Sequence, residues 1–413
     1  MRRVSTVIIG AGQCGLAMSN ELSALGLDHV VLERGEVANS WRTERWDSLR
    51  LLTPNWLNPL PGLDDTGLDV DGFMPCAAFA DRMQRAARNI GAPIEADTEV
   101  VSARRACGRY SVDTTRDSFE AQTLVIATGA CARPKVPAIA ADLPPQIAQV
   151  TSQAYRRPSD LPDGGILVVG ASASGLNIAR ELQLSGRQVT LAVGNHLRMP
   201  RVYRDADMLT WTHLARIFHT PYSEVDDLER MRRLPSLPLL GDPSLADMDL
   251  NALQDLGVRI VGRLAGLDRQ RAYFSGSLAN QCMLADLKLD RLLDQIDAWA
   301  RNAGFDELTS PPDRLARTRV PDAPQLELDL TGGAVQAIVW ATGYLPDHGW
   351  LDLPVFDRKG RIMHEGGVVA PGLFVMGLPY LRTGLSTHIE GAGEDANALT
   401  APLAAALGAS LAA

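Results

Sequence analysis

Two segments of the chain, 160 residues apart, repeat one pattern of strand, glycine turn and helix. The turn GAGQCG starts at Gly10 and the turn GASASG starts at Gly170. In each copy an apolar strand precedes the turn, and an amphipathic helix and a second strand follow it. The repeat therefore predicts an α/β fold with two Rossmann-like dinucleotide-binding units. The matching landmarks are Gly10 and Gly170, Gly15 and Gly175, Leu22 and Leu182, and Gly26 and Gly186.

The glycines of each turn suit the pyrophosphate of a dinucleotide. The first permits a tight turn, the second lets the backbone approach the phosphates, and the third lets helix and strand pack closely. The helix that follows presents free N–H groups and the positive end of its dipole. A glycine turn without a ligand is the alternative, and it is the more open for the second copy, where Ser172 replaces the middle glycine.

The two copies differ at the position that selects the nucleotide. Glu33 ends the second strand of the first copy, where a carboxylate can accept hydrogen bonds from the ribose of FAD or NAD. The matching residue of the second copy is Val193, so no carboxylate repels a 2′-phosphate there. Arg198 and Arg201 follow closely and could bind that phosphate. We therefore expect NADPH rather than NADH, although 37 of the 40 basic residues are arginines and one nearby arginine is common by chance.

Two further apolar strands end in Ala-Thr-Gly, at residues 127–129 and 341–343. Such an end lets the backbone turn sharply beside a bound dinucleotide. The first lies just before the second glycine turn, and the second lies near the C-terminus. This order predicts a first nucleotide-binding domain made of residues 1–150 and 335–413, with a second domain, including a helical segment, inserted as residues 151–334.

Charge and cysteine content exclude several classes of function. The net charge is −9 and the pI is near 5.3, which argues against a nucleic-acid partner. The five cysteines form no C-x-x-C motif, and the histidines lack ligand spacing, so we predict neither a dithiol centre nor a metal site. No apolar run reaches the roughly 18 residues that span a bilayer. We therefore expect a cytoplasmic protein without a membrane span.

Six motifs together point to one family. They are GAGQCG with Glu33, the tract WRTERWDSLRLLTPNWLNPLP at 41–61, ATG at 127–129, GASASG at 170–175, ATGY at 341–344 and PGLFVMG at 371–377. With these motifs the sequence resembles the flavin-containing monooxygenases of class B, which have two dinucleotide-binding domains. The resemblance implies FAD in the first domain and NADPH in the inserted one. It also implies that reduced flavin captures O₂ as a hydroperoxide and oxygenates a nitrogen, a sulfur or a ketone of a small molecule.

The resemblance also implies which residues bind the cofactors. Those for FAD are Gly10, Gly12, Gln13 and Gly15 at the pyrophosphate, Glu33, Arg34 and Val100 at the adenosine, Trp41, Arg42 and Trp46 along the cofactor, Ala127, Thr128 and Gly129 over it, and Gly377 after the C-terminal strand. Those for NADPH are Gly170, Ser172, Ala173, Ser174 and Gly175 at the pyrophosphate, with Thr342 and Tyr344 at the domain junction.

The chain departs from the family's pattern at two places. The tract 145–155 matches the short signature that precedes the second nucleotide fold, but Ile147 stands where a glycine belongs and Thr151 where a histidine belongs. The asparagine that many members place near the flavin falls on Leu52, and Asn55 is nearby but out of register. These departures leave the oxygenation step and the substrate class open.

Two residues, Asn55 and His388, are candidates for a catalytic role. His388 follows the PGLFVMG strand, where the chain of such flavoproteins passes the reactive face of the flavin. Three tryptophans that fall within 16 residues form either a stacking wall beside flavin or substrate, or a local core under a long loop. They are Trp41, Trp46 and Trp56.

Three functions are compatible with these features. The first is an NADPH-dependent monooxygenase that acts on a small molecule. The second is an NAD(P)H-dependent flavin reductase that passes electrons to a protein or a quinone, which the missing histidine and asparagine favour. The third is a non-catalytic flavin-binding sensor. The sequence names neither the substrate nor the oligomeric state.

Overall fold

The structure, a computed structural model, describes residues 1–409 of the 413. Its α-helices vary from one turn to the 25 residues of the longest. The helices are α1 (Gln13–Ala24), α2 (Asn39–Thr43), α3 (Cys76–Asn89), α4 (Ala173–Leu184), α5 (Met208–Leu214), α6 (Leu228–Met231), α7 (Leu250–Asp255), α8 (Leu278–Asn302) and α9 (Ile389–Leu407).

The strands form two main sheets and three small ones. They are β1 (Arg2–Ile9), β2 (His29–Leu32), β3 (Ile94–Glu95), β4 (Val100–Ala106), β5 (Arg109–Thr114), β6 (Ser118–Ile126), β7 (Arg133–Pro134), β8 (Ala148–Thr151), β9 (Ile166–Val169), β10 (Val189–Ala192), β11 (Val202–Tyr203), β12 (Ala206–Asp207), β13 (Arg259–Val261), β14 (Leu264–Leu267), β15 (Arg271–Phe274), β16 (Glu327–Asp329), β17 (Ala337–Trp340), β18 (Tyr344–Leu345), β19 (Leu351–Asp352), β20 (Val368–Ala370) and β21 (Leu373–Val375).

The first main sheet has a parallel core in the order β3-β2-β1-β6-β21. The end of β1 is apolar on both faces, and Val7, Ile8 and Ile9 are all buried, as expected for a strand covered by layers on both sides. Helix α1 packs against α9 on one of these faces. An antiparallel arm made of β4, β5 and the start of β6 extends this sheet.

The second main sheet repeats the plan of the first. Its order is β13-β10-β9-β17-β8, and every neighbouring pair is parallel. An antiparallel sheet of β14, β15 and β16 lies between β13 and β17 in the chain, as the β4–β6 arm lies between β3 and the end of β6. The prediction of an α/β fold with two Rossmann-like units is therefore confirmed.

The strand order of the second sheet places the boundary between the two units after residue 340 rather than at residue 335. Strand β17 lies between β9 and β8, so residues 337–340 belong to the second unit rather than to the first. Strand β8 begins at Ala148, slightly before the predicted start of that unit. The second unit therefore spans residues 148–340. The two segments of chain that connect the units pair with each other in the two-stranded β7–β18 ribbon.

A helical segment between β10 and β13 and the long helix α8 share a separate core. Trp211, Leu293 and Ile296 are fully buried there, and Trp56 of the first unit packs against the same cluster. None of the helices within residues 1–409 is long and apolar enough to cross a membrane.

Candidate functional site

The carboxyl ends of the first parallel sheet open into a cleft of about 380 Å³. This is the edge at which open α/β sheets bind ligands. Eleven of the fourteen residues predicted to bind FAD line this cleft. They are Gly10, Gly12, Gln13, Glu33, Arg34, Trp41, Val100, Ala127, Thr128, Gly129 and Gly377.

The first glycine turn has the close contacts that its spacing predicts. Gly10 has a φ of +106°, and a Cβ there would lie 2.7 Å from the carbonyl oxygen of Ala127. A Cβ on Gly15 would lie 1.8 Å from the carbonyl oxygen of Gly10. A Cβ on Gly12 would meet nothing within 4 Å. Gly10 and Gly15 are therefore required for packing, whereas Gly12 leaves its backbone open to a ligand in the cleft.

Glu33 is a buried carboxylate that both shapes the turn and faces the cleft. Its Oε2 accepts a hydrogen bond of 2.7 Å from the backbone N–H of Ala11, and its Oε1 accepts one of 3.2 Å from that of Gly35. Each carboxylate oxygen has a second lone pair, so Glu33 can still accept hydrogen bonds from the hydroxyls of a ribose.

The Ala-Thr-Gly turn after β6 brings an unpaired hydroxyl to the cleft. The Oγ1 atom of Thr128 is buried and has no hydrogen-bond partner within the described chain. Such a group is costly unless a ligand or water satisfies it. Gly377 closes the same side, since a Cβ there would lie 3.1 Å from the sulfur of Cys14 and 3.5 Å from Cα of Gly129. The cleft thus offers a cradle and a free donor that fit FAD.

Three predicted FAD residues do not line the cleft. Gly15 supports the turn from behind, as its contact with Gly10 shows. The guanidinium of Arg42 donates a hydrogen bond of 2.8 Å to Asp81. Trp46 is buried in the core of the second unit. The structure therefore does not bring Arg42 or Trp46 to this cleft, because both side chains are held elsewhere.

The three tryptophans do not form one cluster: one lines the cleft, and the other two pack in apolar cores. Trp41 lines the cleft, with the Arg45 guanidinium 5.3 Å from its ring centre. Trp46 belongs to a core, and Trp56 packs on His213 with ring centres 5.1 Å apart. Other residues, which were not among those predicted to bind the cofactor, also line the cleft, and most of them directly flank a predicted turn or strand end. These are Ile9, Cys14, Leu32, Ala38, Asn39, Ser40, Glu44, Arg45, Thr98, Glu99, Ala130, Cys131, Ala132, Asp347, Trp350 and Thr387.

The second glycine turn reproduces the geometry of the first. Gly170 has a φ of +114°, and a Cβ there would lie 2.2 Å from the carbonyl oxygen of Ala341. A Cβ on Gly175 would lie 1.8 Å from the carbonyl oxygen of Gly170. The Ala-Thr-Gly turn at 341–343 therefore serves this second site. The predicted NADPH residues Gly170, Ser172, Ala173, Ser174 and Gly175 lie together at the start of α4.

A loop lies over part of this second turn. The Ser172 hydroxyl donates a hydrogen bond of 3.1 Å to the carbonyl of Ser236. The side-chain amide of Asn177 donates one of 3.1 Å to the carbonyl of Leu239. The serine that replaces the middle glycine thus anchors the loop at 236–239, which no feature of the sequence indicated.

Arg198 and Arg201 do not have the role that the sequence suggested. Arg198 is buried and donates hydrogen bonds of 2.6 Å to Asp249 and to Asp286. Arg201 is also buried, forms an ion pair with Asp207, and lies with its guanidinium carbon 4.4 Å from the centre of the Phe73 ring. The prediction that these arginines bind a 2′-phosphate is corrected, because their guanidinium groups are already committed to internal partners.

Another arginine, Arg263, lies beside the end of β10, where the sequence predicts a residue that binds the 2′-phosphate. Arg263 follows β13, the neighbour of β10 in the sheet, and is exposed. Its NH2 atom donates a hydrogen bond of 3.1 Å to Oδ1 of Asn195, and its Nε lies 3.3 Å from where a Cβ on Gly194 would be. Arg263 thus stands at the end of the strand that lacks an acidic residue. It is distant in sequence from β10, so the spacing after that strand could not reveal it.

Thr342 and Tyr344 lie where the chain crosses between the units. Tyr344 pairs with Pro134 in the β7–β18 ribbon, and its hydroxyl lies 2.9 Å from Oγ of Ser152. The Thr342 hydroxyl donates a hydrogen bond to the carbonyl of Lys135. Both residues are thus at the junction between the units.

The two catalytic candidates lie in different surroundings. Asn55 is buried, and its amide nitrogen donates a hydrogen bond of 2.8 Å to the carbonyl of Asp69. Asn55 lines neither the cleft nor the small cavity beside His388. His388 precedes α9 and directly follows Thr387, which lines the cleft. Burial lowers the pKa of His388, so its imidazole is neutral near pH 7.

A small cavity next to His388 gathers further ionisable groups. Nδ1 of His213 lies 2.8 Å from Oε1 of Glu390, and the rings of His213 and His219 are 6.0 Å apart. Burial raises the pKa of Glu390, and the nearby His213 opposes that rise. Burial also lowers the pKa of His219. The sequence placed no functional group at these histidines, because His213 and Glu390 are far apart in the chain.

Comparison with known proteins adds a family and several relatives. The family described as "Pyridine nucleotide-disulphide oxidoreductase" matches residues 7–217, which are 211 of the 413 residues. An "Uncharacterized oxidoreductase CzcO-like" of Geobacillus kaustophilus is 28% identical over 400 residues, which cover 96% of this chain and 97% of that one. The indole-3-pyruvate monooxygenase YUCCA6 of Arabidopsis thaliana is 28% identical over 274 residues, which cover 63% of this chain and 64% of that one.

A solved structure is similar over nearly its full length. It is a flavin-containing monooxygenase from Stenotrophomonas maltophilia, which matches with a TM-score of 0.68 and covers 98% of this chain and 99% of that one. The sequence identity is 16%, so this likeness concerns the fold.

Proposed function

Because this oxidoreductase belongs to the pyridine nucleotide-disulphide oxidoreductase family, we propose that it is an NADPH-dependent flavin monooxygenase acting on a small molecule. The observation that carries the proposal is the cleft of the first unit, where Gly12 leaves the backbone open, Glu33 faces the ribose position and Thr128 keeps a free hydroxyl. Bound FAD would supply the redox chemistry, taking a hydride from the nicotinamide and reacting with O₂.

The residues of the first unit would bind and orient FAD. The backbone N–H groups at the start of α1, around Gly12 and Gln13, would donate to the pyrophosphate. Glu33 would accept hydrogen bonds from the adenosine ribose, and Val100 would pack against the adenine. Trp41, an apolar wall of the cleft, would exclude water from part of the cofactor.

The second unit would bind NADPH through its glycine turn and Arg263. Val193 removes the carboxylate that would repel a 2′-phosphate, and Arg263 provides an exposed guanidinium at the same strand ends. A guanidinium can bind a phosphate through two parallel hydrogen bonds, which favours NADPH over NADH.

Oxygenation, rather than disulphide reduction, is supported by the cysteines and by one relative. All five cysteines are free. Burial raises the pKa of Cys14, in the first turn, to about 12, so that this thiol is a poor nucleophile. YUCCA6, which is similar to this chain over 274 residues, is a monooxygenase for indole-3-pyruvate. We therefore place O₂ and a small organic molecule as the co-substrates.

One observation favours a second candidate, a flavin reductase. The cavity beside His388 has a volume of about 20 Å³, enough for one water molecule but not for an organic substrate. A reductase that passes electrons to a protein acceptor needs no such pocket.

Flavin reduction and product analysis would separate these functions. We expect NADPH to bleach the visible absorbance of the bound flavin without air, faster than NADH does. Under air, with amine, sulfide and ketone substrates, one atom of ¹⁸O₂ should appear in a product. Bleaching followed only by hydrogen peroxide, together with anaerobic turnover of a quinone, would select the reductase. If neither nucleotide bleaches the flavin, both enzymatic proposals are wrong.

A further inference from the structure

Three metal-ligating side chains meet beside the cofactor cleft although they are far apart in the chain. His213 lies in α5, His219 ends the short 3-10 turn Ile217–His219, and Glu390 lies in the first turn of α9. One potential ligand atom from each lies within 4.8 Å of the other two. The cluster therefore joins the helical segment of the second unit to the last helix of the first.

The donor atoms of this cluster are poorly satisfied by the protein. The Nδ1 atoms of His213 and His219 are buried, and neither has an aligned hydrogen-bond partner in the described part of the chain. Nδ1 of His213 lies 2.8 Å from Oε1 of Glu390, which is the spacing of an ion pair. Two imidazole groups and a carboxylate are therefore gathered around a shared space, and Nδ1 of His219 has no hydrogen-bond partner in the described part of the chain.

The shared space has the size of a single ion. The cavity that these residues line has a volume of about 20 Å³, and Leu57 and Leu209 form part of its apolar wall. Zinc binds nitrogen and carboxylate oxygen at about 2.0–2.2 Å, which places ligand atoms about 3.4 Å apart in a tetrahedron. Small rotations of the side chains would bring the three donors from within 4.8 Å to that spacing.

The local charges also favour a cation. The positive end of the α9 dipole opposes one, but it amounts to about half a charge, and the carboxylate of Glu390 exceeds it. Glu394, one turn further along α9, adds a second negative charge near His219. Arg216 is the opposing cation in this neighbourhood.

We propose that His213, His219 and Glu390 bind a divalent metal ion of the zinc class, with water in the remaining coordination position. Two histidines and one glutamate form a donor set that suits this ion. The ion would connect α5 to the start of α9 and so hold Thr387, which lines the cofactor cleft. Its role is to position this segment, and it is independent of the oxygenation chemistry.

Metal titration of the FAD-loaded protein tests the site. After treatment with a chelator, we expect the wild type to bind one equivalent of Zn²⁺ in equilibrium dialysis. His213→Gln, His219→Gln and Glu390→Gln should each weaken that binding by about tenfold or more. His364→Gln is the matched control, because His364 is also a half-buried histidine but lies outside the cluster. It should leave the affinity within about twofold.

Two further measurements keep the result clear. Co²⁺ in the site should show the visible absorption of a nitrogen and oxygen environment without thiolate charge-transfer bands. Zn²⁺ should raise the thermal stability of the wild type and of the control, but not that of Glu390→Gln, which is close to isosteric and should fold. Failure to bind one equivalent, equal binding by all variants, or thiolate bands would each overturn the proposal. If NADPH reduces the flavin but the protein binds no metal, the metal site is wrong and the proposed oxidoreductase function is unaffected.

Discussion

The two glycine turns share one scaffold but differ in what surrounds it. In both, the first glycine approaches the carbonyl of an Ala-Thr-Gly turn, and the third has its Cβ position 1.8 Å from the carbonyl of the first. The first turn has Glu33 at the end of its second strand and opens into a large cleft. The second has Val193 at the corresponding position, and its Ser172 hydroxyl donates a hydrogen bond to the carbonyl of Ser236 in a neighbouring loop. Packing therefore accounts for the repeat, whereas the residues just outside the strands differ between the two units, and we propose that they select the nucleotide.

The arginines near the second turn reinforce this distinction. Arg198 and Arg204 are both buried and form ion pairs with acidic residues. Removal of one partner from such a pair costs several kcal/mol, since it strands a buried charge. These arginines belong to the framework of the helical segment, whereas the exposed Arg263 is available to a ligand.

The largest effect should come from a matched pair of glycine substitutions. Gly15→Ala and Gly175→Ala create the same overlap, 1.8 Å from a backbone oxygen, so each should cost about 4 kcal/mol of stability in its own unit. We expect Gly15→Ala to lose FAD, and Gly175→Ala to keep FAD but bind NADPH poorly. Cofactor content after purification and NADPH titration measure the two effects.

Gly12→Ala is the control for that pair, because its Cβ would meet no protein atom within 4 Å. It should fold with wild-type stability and yet retain less FAD. If Gly175→Ala lost FAD as readily as Gly15→Ala does, the two units would not be separable in this way.

The second-largest effect should be on the pH dependence of stability, through a buried carboxyl group of the first unit. Burial raises the pKa of Asp395, in α9, from 3.8 to about 6. The folded chain therefore holds this proton more tightly than the unfolded chain. The stability that the protonated carboxyl contributes is complete below about pH 4 and is lost as the pH rises through 6, by up to roughly 3 kcal/mol.

Asp395→Asn should therefore be more stable than the wild type at pH 8, by about 2 kcal/mol after loss of the Arg382 ion pair, and the gain should shrink at pH 5. Urea unfolding at both pH values measures this. Asp142→Asn, at an exposed aspartate, should change neither value. An equal gain at both pH values would mean that Asp395 does not titrate in this range.

Replacement of Glu33 tests the nucleotide site of the first unit. Glu33→Gln should weaken FAD binding by about 1–3 kcal/mol, because charge-assisted hydrogen bonds to the ribose become neutral ones. Equilibrium dialysis of the apoprotein with FAD measures the loss. Glu36→Gln, an exposed neighbour, should bind FAD as the wild type does. Unchanged affinity in Glu33→Gln would remove the assigned role of this carboxylate.

The smallest effect should distinguish the nucleotides of the second unit. Arg263→Ala should raise the Michaelis constant for NADPH by about tenfold, a loss of about 1.4 kcal/mol, and leave that for NADH nearly unchanged. Steady-state NAD(P)H oxidation provides both values. Arg259→Ala, at an exposed residue on the same strand pair, is the control. Equal effects on NADPH and NADH would show that Arg263 does not contact a 2′-phosphate.

The sequence was most informative where structure depends on close neighbours in the chain. Gly10 and Gly170 each end a strand and open a helix within a few residues, so the spacing alone predicted both turns. The helical segment expected in the inserted domain includes α8, a regular helix of 25 residues. Hydrophobic periodicity and glycine geometry are local properties, and they do not need the rest of the fold to be known.

Pairings between distant segments could not be predicted in this way. The sequence assigned β17 to the wrong unit, because a single apolar strand does not show which sheet it joins. It assigned Arg198 to a phosphate, because its partners Asp249 and Asp286 are 51 and 88 residues away. Only the folded chain decides which charges meet.

The chain alone thus determined that there are two Rossmann-like units, that the second strand of the first ends in an acidic residue and that the matching strand of the second does not. The tertiary structure decided that Arg263, rather than Arg198 or Arg201, is exposed beside the second turn, where one unit ends, and that His213, His219 and Glu390 meet at a common space. The physical reason is the range of the interactions. A glycine turn depends on dihedral angles within one segment, whereas an ion pair or a metal site depends on contacts that topology creates between segments.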